Sequence, residues 1–274
     1  MKLLTETFRS LCRTSPVIKR TLWRRWYQYL ATKKWEDELL FMNYGFAYID
    51  ENKDDVHIHE DEEKYRLRIQ LYHRVASAVD LREKDVLEVG CGRGGGSAYI
   101  MRHLNPNSVV GVDFSQKAID FCRSHHDHSG LTFQHGDAES LPFEDHSFDV
   151  LVNVESSYCY GHMDKFLREV RRVLRPGGYF SYADFRGMED IDALRDHLDH
   201  SGLTMLDKQD ISRNVLRAME IDHDNKIKGI QEKAPKILQK SFISFTGTKE
   251  SNVYKELLNG EKEYFRYVFQ KPEN

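Results

Sequence analysis

The sequence predicts an α/β fold, a mostly parallel sheet with helices on both faces, and three observations predict it. From residue 85 onward, short apolar runs that read as buried strands alternate with stretches of helical periodicity. The first of these runs ends in a glycine-rich turn, Gly90-Cys91-Gly92-Arg93-Gly94-Gly95-Gly96, that opens a helix. The next run closes on an acid, Asp113, 23 residues after Gly90. Strands separated by helical crossovers pair in parallel, because the chain must return to the same edge before it can form the next strand.

Taken in order, strands are expected at residues 85–89, 109–113, 131–134, 148–154 and 178–184. Helices are expected between them near 98–104, 116–124 and 165–174. Two further strands at 203–211 and 264–270 would complete a seven-stranded, Rossmann-like sheet, and the mostly helical stretch after residue 212 would stand outside it as a cap insertion over 212–262. Upstream, residues 1–62 read as a helical N-terminal lid, and residues 63–274 as the main domain. Ile18, Leu22, Trp26 and Leu30 recur at helical spacing, with Lys19, Arg20, Arg24 and Arg25 between them. A second helix is expected from about Glu63 to Val79, with Leu67, Leu71, Val75 and Val79 on one face.

Composition excludes several classes. The chain has 274 residues, 40% hydrophobic and 31% charged, which suits a globular domain of this size. Its formal charge of −4 gives no overall basic field for nucleic acid. No apolar run approaches the ~20 residues of a membrane span, and the first residues lack the apolar core and cleavage site of a signal peptide. Cys12, Cys91, Cys122 and Cys159 form no CxxC pair, so neither a zinc site nor a disulfide framework is expected, and a reducing cytoplasm fits. The basic aromatic segment Trp23-Arg24-Arg25-Trp26-Tyr27 suits two roles: lying on an anionic membrane surface, or folding over an apolar pocket. A homodimer is compatible with the sequence. The His125-His126-Asp127-His128 cluster falls between a helix and the third strand and reads as a solvated loop rather than a metal site.

The glycine turn carries the cofactor signal. A run of five glycines in seven residues exceeds what a tight turn needs for packing and suits a ligand that approaches the backbone closely. Alone it is ambiguous: Gly90, Gly92 and Gly95 satisfy the dinucleotide pattern GxGxxG, while Gly90, Gly92 and Gly94 satisfy a GxGxG pattern. In either case Asp113 could hold ribose hydroxyls.

Other segments break the tie. Glu88 through Gly94, Asp113-Phe114-Ser115, Gly136-Asp137-Ala138-Glu139-Ser140-Leu141-Pro142-Phe143, Ser147-Phe148-Asp149-Val150 and Val173-Leu174-Arg175-Pro176-Gly177-Gly178 stand in order along residues 65–186. In that order they resemble the motifs of class I S-adenosylmethionine-dependent methyltransferases. Asn153-Val154-Glu155-Ser156-Ser157-Tyr158-Cys159-Tyr160, Tyr179 through Asp184 and Gln70-Leu71-Tyr72-His73-Arg74 are similar to mycobacterial methyltransferases of the phthiotriolone and glycolipid type, which are O-methyltransferases of hydrophobic natural products. Met42-Asn43-Tyr44-Gly45-Phe46 resembles a segment that closes over the cofactor in related small-molecule enzymes.

The resemblance implies S-adenosyl-L-methionine as cofactor, with Phe114 against the adenine, Asp137 on its amino group and the Ala138 backbone on a ring nitrogen. Tyr72, Glu88, Gly90, Cys91, Gly92, Gly94, Asp113 and Asn153 complete the expected cofactor set, and no metal is implied. The acceptor is expected to be a small hydrophobic molecule methylated on a hydroxyl; carbon or nitrogen acceptors and a non-catalytic cofactor-binding protein are the alternatives. A hydroxyl must lose its proton in an in-line displacement, so a general base is expected beyond strands four and five. The resemblance places Asp184 in that role, with His162 a few residues beyond the usual histidine position. Tyr158 and Glu155 are the other candidates, Glu155 as a residue that orients the loop or attracts the sulfonium.

Overall fold

The computed structural model describes residues 15–31, 39–49 and 56–273. The parts of the expected lid at 1–14, 32–38 and 50–55 lie outside them, as does Cys12. The core is a seven-stranded sheet. Its strands are β1 (Asp85–Val89), β2 (Ser108–Asp113), β3 (Leu131–His135), β4 (Phe148–Val154), β5 (Leu174–Gly187), β6 (Thr204–Asp210) and β7 (Lys262–Gln270). They lie in the order β3-β2-β1-β4-β5-β7-β6. The first five pair in parallel, and β7 runs antiparallel to both β5 and β6. The strand order reverses at β1, where β1 pairs with both β2 and β4. Crevices at such reversals, outside the carboxyl ends of the strands, are where open α/β sheets bind ligands.

The helices described are α1 (Pro16–Ala31), α2 (Arg66–Ala76), α3 (Gly95–His103), α4 (Gln116–His125), α5 (Met163–Val173), α6 (Met188–Asp199), α7 (Ser212–Ile221), α8 (His223–Lys233), α9 (Lys236–Phe245) and α10 (Asn252–Leu258). The four helices α7 to α10 form the insertion expected before the last strand. The helix α6 was not anticipated by periodicity. It buries only Ile191, Leu194 and Leu198, a stripe too narrow to stand out among its charges. The expected helix over Glu63–Val79 begins with a 3₁₀ turn, Glu60–Tyr65, whose capping box pairs His59 with Glu62, and only then becomes α-helical.

Burial explains the strands. Val86, Leu87, Val150, Leu151 and Val152 are fully buried, as expected of central parallel strands covered on both faces. Glu88 of β1 is also fully buried. It accepts hydrogen bonds from the Tyr72 hydroxyl at 2.7 Å and from Ser97, and burial raises its pKa. Gly96 makes this arrangement feasible, since a Cβ there would meet the Tyr72 ring at 2.0 Å. In the histidine cluster expected to be a solvated loop, His126 is instead half-buried. Its Nε2 lies 2.8 Å from the Arg93 carbonyl oxygen and its ring packs on Phe133, so it braces the glycine turn from behind.

The α1 helix lies across the carboxyl end of the sheet. Trp23 meets Tyr158 edge-on at 5.2 Å, and Trp26 packs 6.1 Å from Phe242 of α9. Of the expected apolar stripe, Ile18 is 39% exposed and Leu22 and Trp26 are half-buried. The packed face is therefore rotated toward Lys19, Trp23 and Tyr27. Among the described residues no helix is long and apolar enough to cross a membrane.

Candidate active site

Two adjoining cavities open at the carboxyl ends of the strands. The smaller, of about 140 Å³, follows β1, β2 and β3. Tyr72, Gly90, Cys91, Gly92, Asp113, Phe114, Asp137 and Ala138 line it, as expected of cofactor residues. Gly90 has φ of 79°, and a Cβ there would meet the Ser156 hydroxyl at 1.9 Å, so no other residue fits the turn. Asp113 accepts the Gly92 amide at 2.9 Å and the Ser115 amide at 2.8 Å, which fixes its carboxylate at the cavity wall; burial raises its pKa.

Three residues expected in the cofactor set do not line this cavity. Glu88 is sealed behind Tyr72 and Ser97. Gly94 is the left-handed N-cap of α3, where a Cβ would meet the Phe133 ring at 2.7 Å. Asn153 is fully buried and donates to the Val89 carbonyl at 2.8 Å and to the Tyr160 hydroxyl at 3.0 Å. All three support the wall rather than form it. Ser156, Glu139 and Tyr160 line the cavity without having been expected there.

The cavity is small because α1 reaches into it. The Arg24 guanidinium lies 4.4 Å from the centre of the Phe114 ring and that of Arg20 5.1 Å from it, and Arg20 is ion-paired with Asp137 and, at 3.4 Å, with Glu139. A flat, delocalised group bearing N–H donors thus stands on Phe114 and against Asp137. A purine with an exocyclic amine presents the same two features, a planar face and an N–H donor, so these residues fit an adenine.

The larger cavity, of about 1430 Å³, lies under α1, β5 and the insertion. Trp23, Trp26, Tyr27, Tyr158, Phe185 and Phe242 give it an aromatic lining. Its volume exceeds the ~300–1,000 Å³ usual for small-ligand sites. Burial raises the pKa values of both Tyr27 and Tyr158, and their hydroxyls are hydrogen-bonded to each other.

Glu155 lines both cavities. It directly follows β4 in a left-handed conformation, φ 45°, which costs energy in a non-glycine residue and persists only where its surroundings impose it. Its N–H is held by the Ala183 carbonyl at 2.9 Å. Its Oε1 accepts the Tyr44 amide and the Tyr264 hydroxyl, each at 2.8 Å. Burial pushes its pKa up to about 8.

The expected His162–Asp184 pair is not brought to the cavities, and neither residue lines them. His162 is the N-cap residue of α5, and its backbone N–H donates to Glu139 at 3.2 Å. Asp184 is fully buried. One of its oxygens accepts the Ser157 hydroxyl at 2.6 Å and the Tyr158 amide at 2.9 Å, with Arg186 at 3.1 Å; the other accepts the Phe185 amide at 2.8 Å. A carboxylate so engaged holds the 157–158 turn in place and has little capacity left to take a proton from a ligand. Tyr44 and Tyr264, which position Glu155, gave different signals. Tyr44 lies in the segment whose resemblance suggests closure over the cofactor, whereas Tyr264 reaches the site only through antiparallel pairing of β7 with β5, opposite Phe185.

Comparison with known proteins fixes the family. Residues 87–182 match the model of a methyltransferase domain. The chain is 40% identical over 252 residues to the phthiotriol/phenolphthiotriol dimycocerosates methyltransferase of Mycobacterium tuberculosis, covering 92% of this chain and 93% of that protein. It belongs to the S-adenosylmethionine-dependent methyltransferases. The methyltransferase is also 40% identical over 246 residues to a fatty-acid O-methyltransferase of Mycolicibacterium smegmatis, covering 90% of this chain and 88% of that one. Its fold matches geranyl diphosphate C-methyltransferase from Streptomyces coelicolor, solved with S-adenosyl-L-homocysteine, with a TM-score of 0.63 at 17% identity, over 89% of this chain and 98% of that one. S-adenosyl-L-methionine is accordingly the methyl donor, and the smaller cavity, with Asp113, Phe114 and Asp137, carries the chemistry to hold it.

Proposed function

We propose that this methyltransferase methylates a hydroxyl of a hydrophobic, lipid-like acceptor, with Glu155 as the general base. The observation that carries the reading is the place of Glu155: it stands in the wall common to both cavities, with its two hydrogen bonds on one carboxyl oxygen. The size and aromatic lining of the larger cavity support an extended apolar acceptor, as do two relatives named for a fatty acid and for phthiotriol dimycocerosates.

When bound, S-adenosyl-L-methionine supplies a methyl group on a sulfonium, open to in-line displacement. The chain's own residues do the rest. Tyr44 and Tyr264 hold Glu155 Oε1, leaving Oε2 to accept the hydroxyl proton as the oxygen becomes a nucleophile. A cationic ligand in the neighbouring cavity favours the ionised form of Glu155 and so lowers its raised pKa when the base is needed. The α1 helix, with Trp23 and Tyr27 on its inner face, covers the acceptor and excludes water; with those rings turned inward, a membrane role for this helix is disfavoured. Asp184 and His162 act through structure: Asp184 fixes the turn that carries Tyr158.

Replacing Glu155 by Gln keeps the shape and removes the base. With a long-chain hydroxylated acceptor, kcat is expected to fall at least a hundredfold while the dissociation constant for S-adenosyl-L-methionine stays within threefold. A variant that keeps more than a third of wild-type kcat would eliminate Glu155 as the base.

A further inference from the structure

Lys226, in the first turns of α8, lines the larger cavity, and its side chain is 10% exposed. Its ammonium nitrogen is buried without a hydrogen-bond partner. Its nearest anion, Asp222, lies 3.5 Å away, and the same oxygen of Asp222 is already bound by Arg68 at 2.9 Å. Arg68 also lines the cavity. Two cations therefore share one carboxylate at this part of the cavity wall.

Such an arrangement is costly. A buried ammonium without hydrogen bonds is heavily penalised, and desolvation, followed by repulsion from Arg68, lowers the Lys226 pKa to about 8. Its place near the start of α8 adds to the cost, because the positive end of the helix macrodipole disfavours a cation. The Asp222 side chain, at the N-cap of that helix, makes no capping hydrogen bond, so it does not quench the helix end either. In the absence of a sulfonium ligand Glu155 does not fill the deficit, since burial raises its pKa to about 8. What the group lacks is one negative charge with free lone pairs.

We propose that Lys226 and Arg68 form an anion subsite in the acceptor cavity and that the acceptor carries a carboxylate in addition to the group that is methylated. One monoanion beside Asp222 gives two anions for two cations, and a carboxylate offers the lone pairs the Lys226 ammonium lacks. A phosphate dianion would overshoot that balance. The inference rests on the larger cavity being the acceptor site, and it names the acceptor class as acidic lipids. Lys226 is a specificity residue here, distinct from the proton-accepting Glu155.

Binding separates this inference from the chemistry. A long-chain hydroxy fatty acid and its methyl ester, which differ only in the charge, are titrated by displacement of a fluorescent fatty-acid probe from the full chain saturated with S-adenosyl-L-homocysteine. The acid is expected to bind at least tenfold more tightly than the ester. Lys226→Met, which removes the charge and keeps an apolar stem of similar length, should reduce the preference to within twofold, and Lys226→Arg should restore most of it. Equal affinity of wild type for acid and ester, or a preference unchanged in Lys226→Met, overturns the subsite. Because no turnover is needed, an inactive hydroxyl acceptor would count against the proposed reaction and leave this result standing on its own.

Discussion

The two cavities of this molecule share α1 and the 39–43 segment but differ in the rest of their walls. The cofactor cavity is assembled from the ends of neighbouring strands: the turn after β1, the acid closing β2 and the Asp137-Ala138 segment after β3. The acceptor cavity adds to the shared elements the end of β5 and the insertion helices, far apart in sequence. The first has a volume of about 140 Å³ and draws its floor from turns after the strands, and the second about 1430 Å³ with an aromatic cluster and charged side chains among its walls. Glycine turns and strand-end acids fix a ligand whose chemistry never changes, whereas an aromatic chamber roofed by helices can be re-cut for another acceptor without disturbing the sheet.

The sharpest way to break that comparison is to remove an anchor from one side only. Asp113→Ala deletes a charged acceptor that is already oriented by two backbone amides. Hydrogen bonds to charged groups contribute about 1.5–3 kcal/mol. S-adenosyl-L-methionine is therefore expected to bind at least tenfold more weakly by calorimetry, with lipid binding to the larger cavity unchanged. A parallel loss of lipid affinity would mean the two cavities are not separable.

The same contrast governs how much was legible beforehand. The seven strands, the glycine turn, Asp113 and the Asp137-Ala138 pair were readable, because a backbone turn needs particular residues at particular spacings. Glu88 and Gly94 of that turn's motif, and Asn153 at the end of the fourth strand, were expected on the same resemblance yet do not line the cavity, since a motif records which residues a turn requires and not which of them touch a ligand. Glu155 was visible as a candidate, but its proposed rank above Asp184 was not. That rank depends on Arg186 and Ser157 engaging Asp184, and on Tyr264 arriving from β7, a contact 109 residues away in the chain. The Lys226–Arg68–Asp222 group gave no periodic or motif signal; Arg68 and Asp222 are separated by 154 residues.

On the acceptor side, Trp23→Ala removes a ring that stacks on Tyr27 at 5.9 Å and meets Tyr158 at 5.2 Å. Aromatic pairs are worth about 0.5–1.5 kcal/mol beyond the area they bury. The expected outcome in steady-state kinetics is a KM for the lipid acceptor raised about tenfold, with cofactor affinity within twofold. A fall in cofactor affinity alone would show that Trp23, which lines both cavities, acts on the cofactor rather than on the acceptor.

Glu155, which belongs to both cavities, links function to stability. Its folded pKa of about 8 lies above its unfolded value, so the protonated form is the one the fold favours. Its contribution is fully present below an unfolded pKa of about 4.3 and is lost as pH rises through 8. Glu155→Gln mimics the protonated group at every pH. The variant and the wild type should melt together near pH 4 and diverge above it, the variant being a few degrees more stable at pH 8.5 by calorimetry of the ligand-free protein. Coincident curves across that range would show that the carboxyl is not held in its raised state. In wild type, kcat/KM should rise toward pH 8 along the ionisation of this group.

The smallest effect concerns the arginines that α1 sends from the acceptor roof into the cofactor cavity. Arg24 lies over Phe114, and Arg20 pairs with Asp137, on the surfaces an adenine would use. If the cofactor displaces them, part of its binding energy is consumed in breaking those contacts. A cation–π contact of this kind is worth about 0.5–1 kcal/mol at an exposed site, and surface ion pairs contribute comparably little. Arg24→Ala should then bind S-adenosyl-L-methionine about two- to fivefold more tightly, with most of the gain in the association rate measured by stopped flow, since the site no longer has to be vacated first. Were Arg24 instead to stay in place and stack on the outer face of the adenine, the same substitution would weaken binding by a similar factor through faster dissociation. The sign of that change decides whether α1 competes with the cofactor or clamps it, and so whether the two cavities are filled in a fixed order. Competition requires α1 to be displaced by the cofactor before it can close over the acceptor, whereas a clamp lets one movement of the helix seal both.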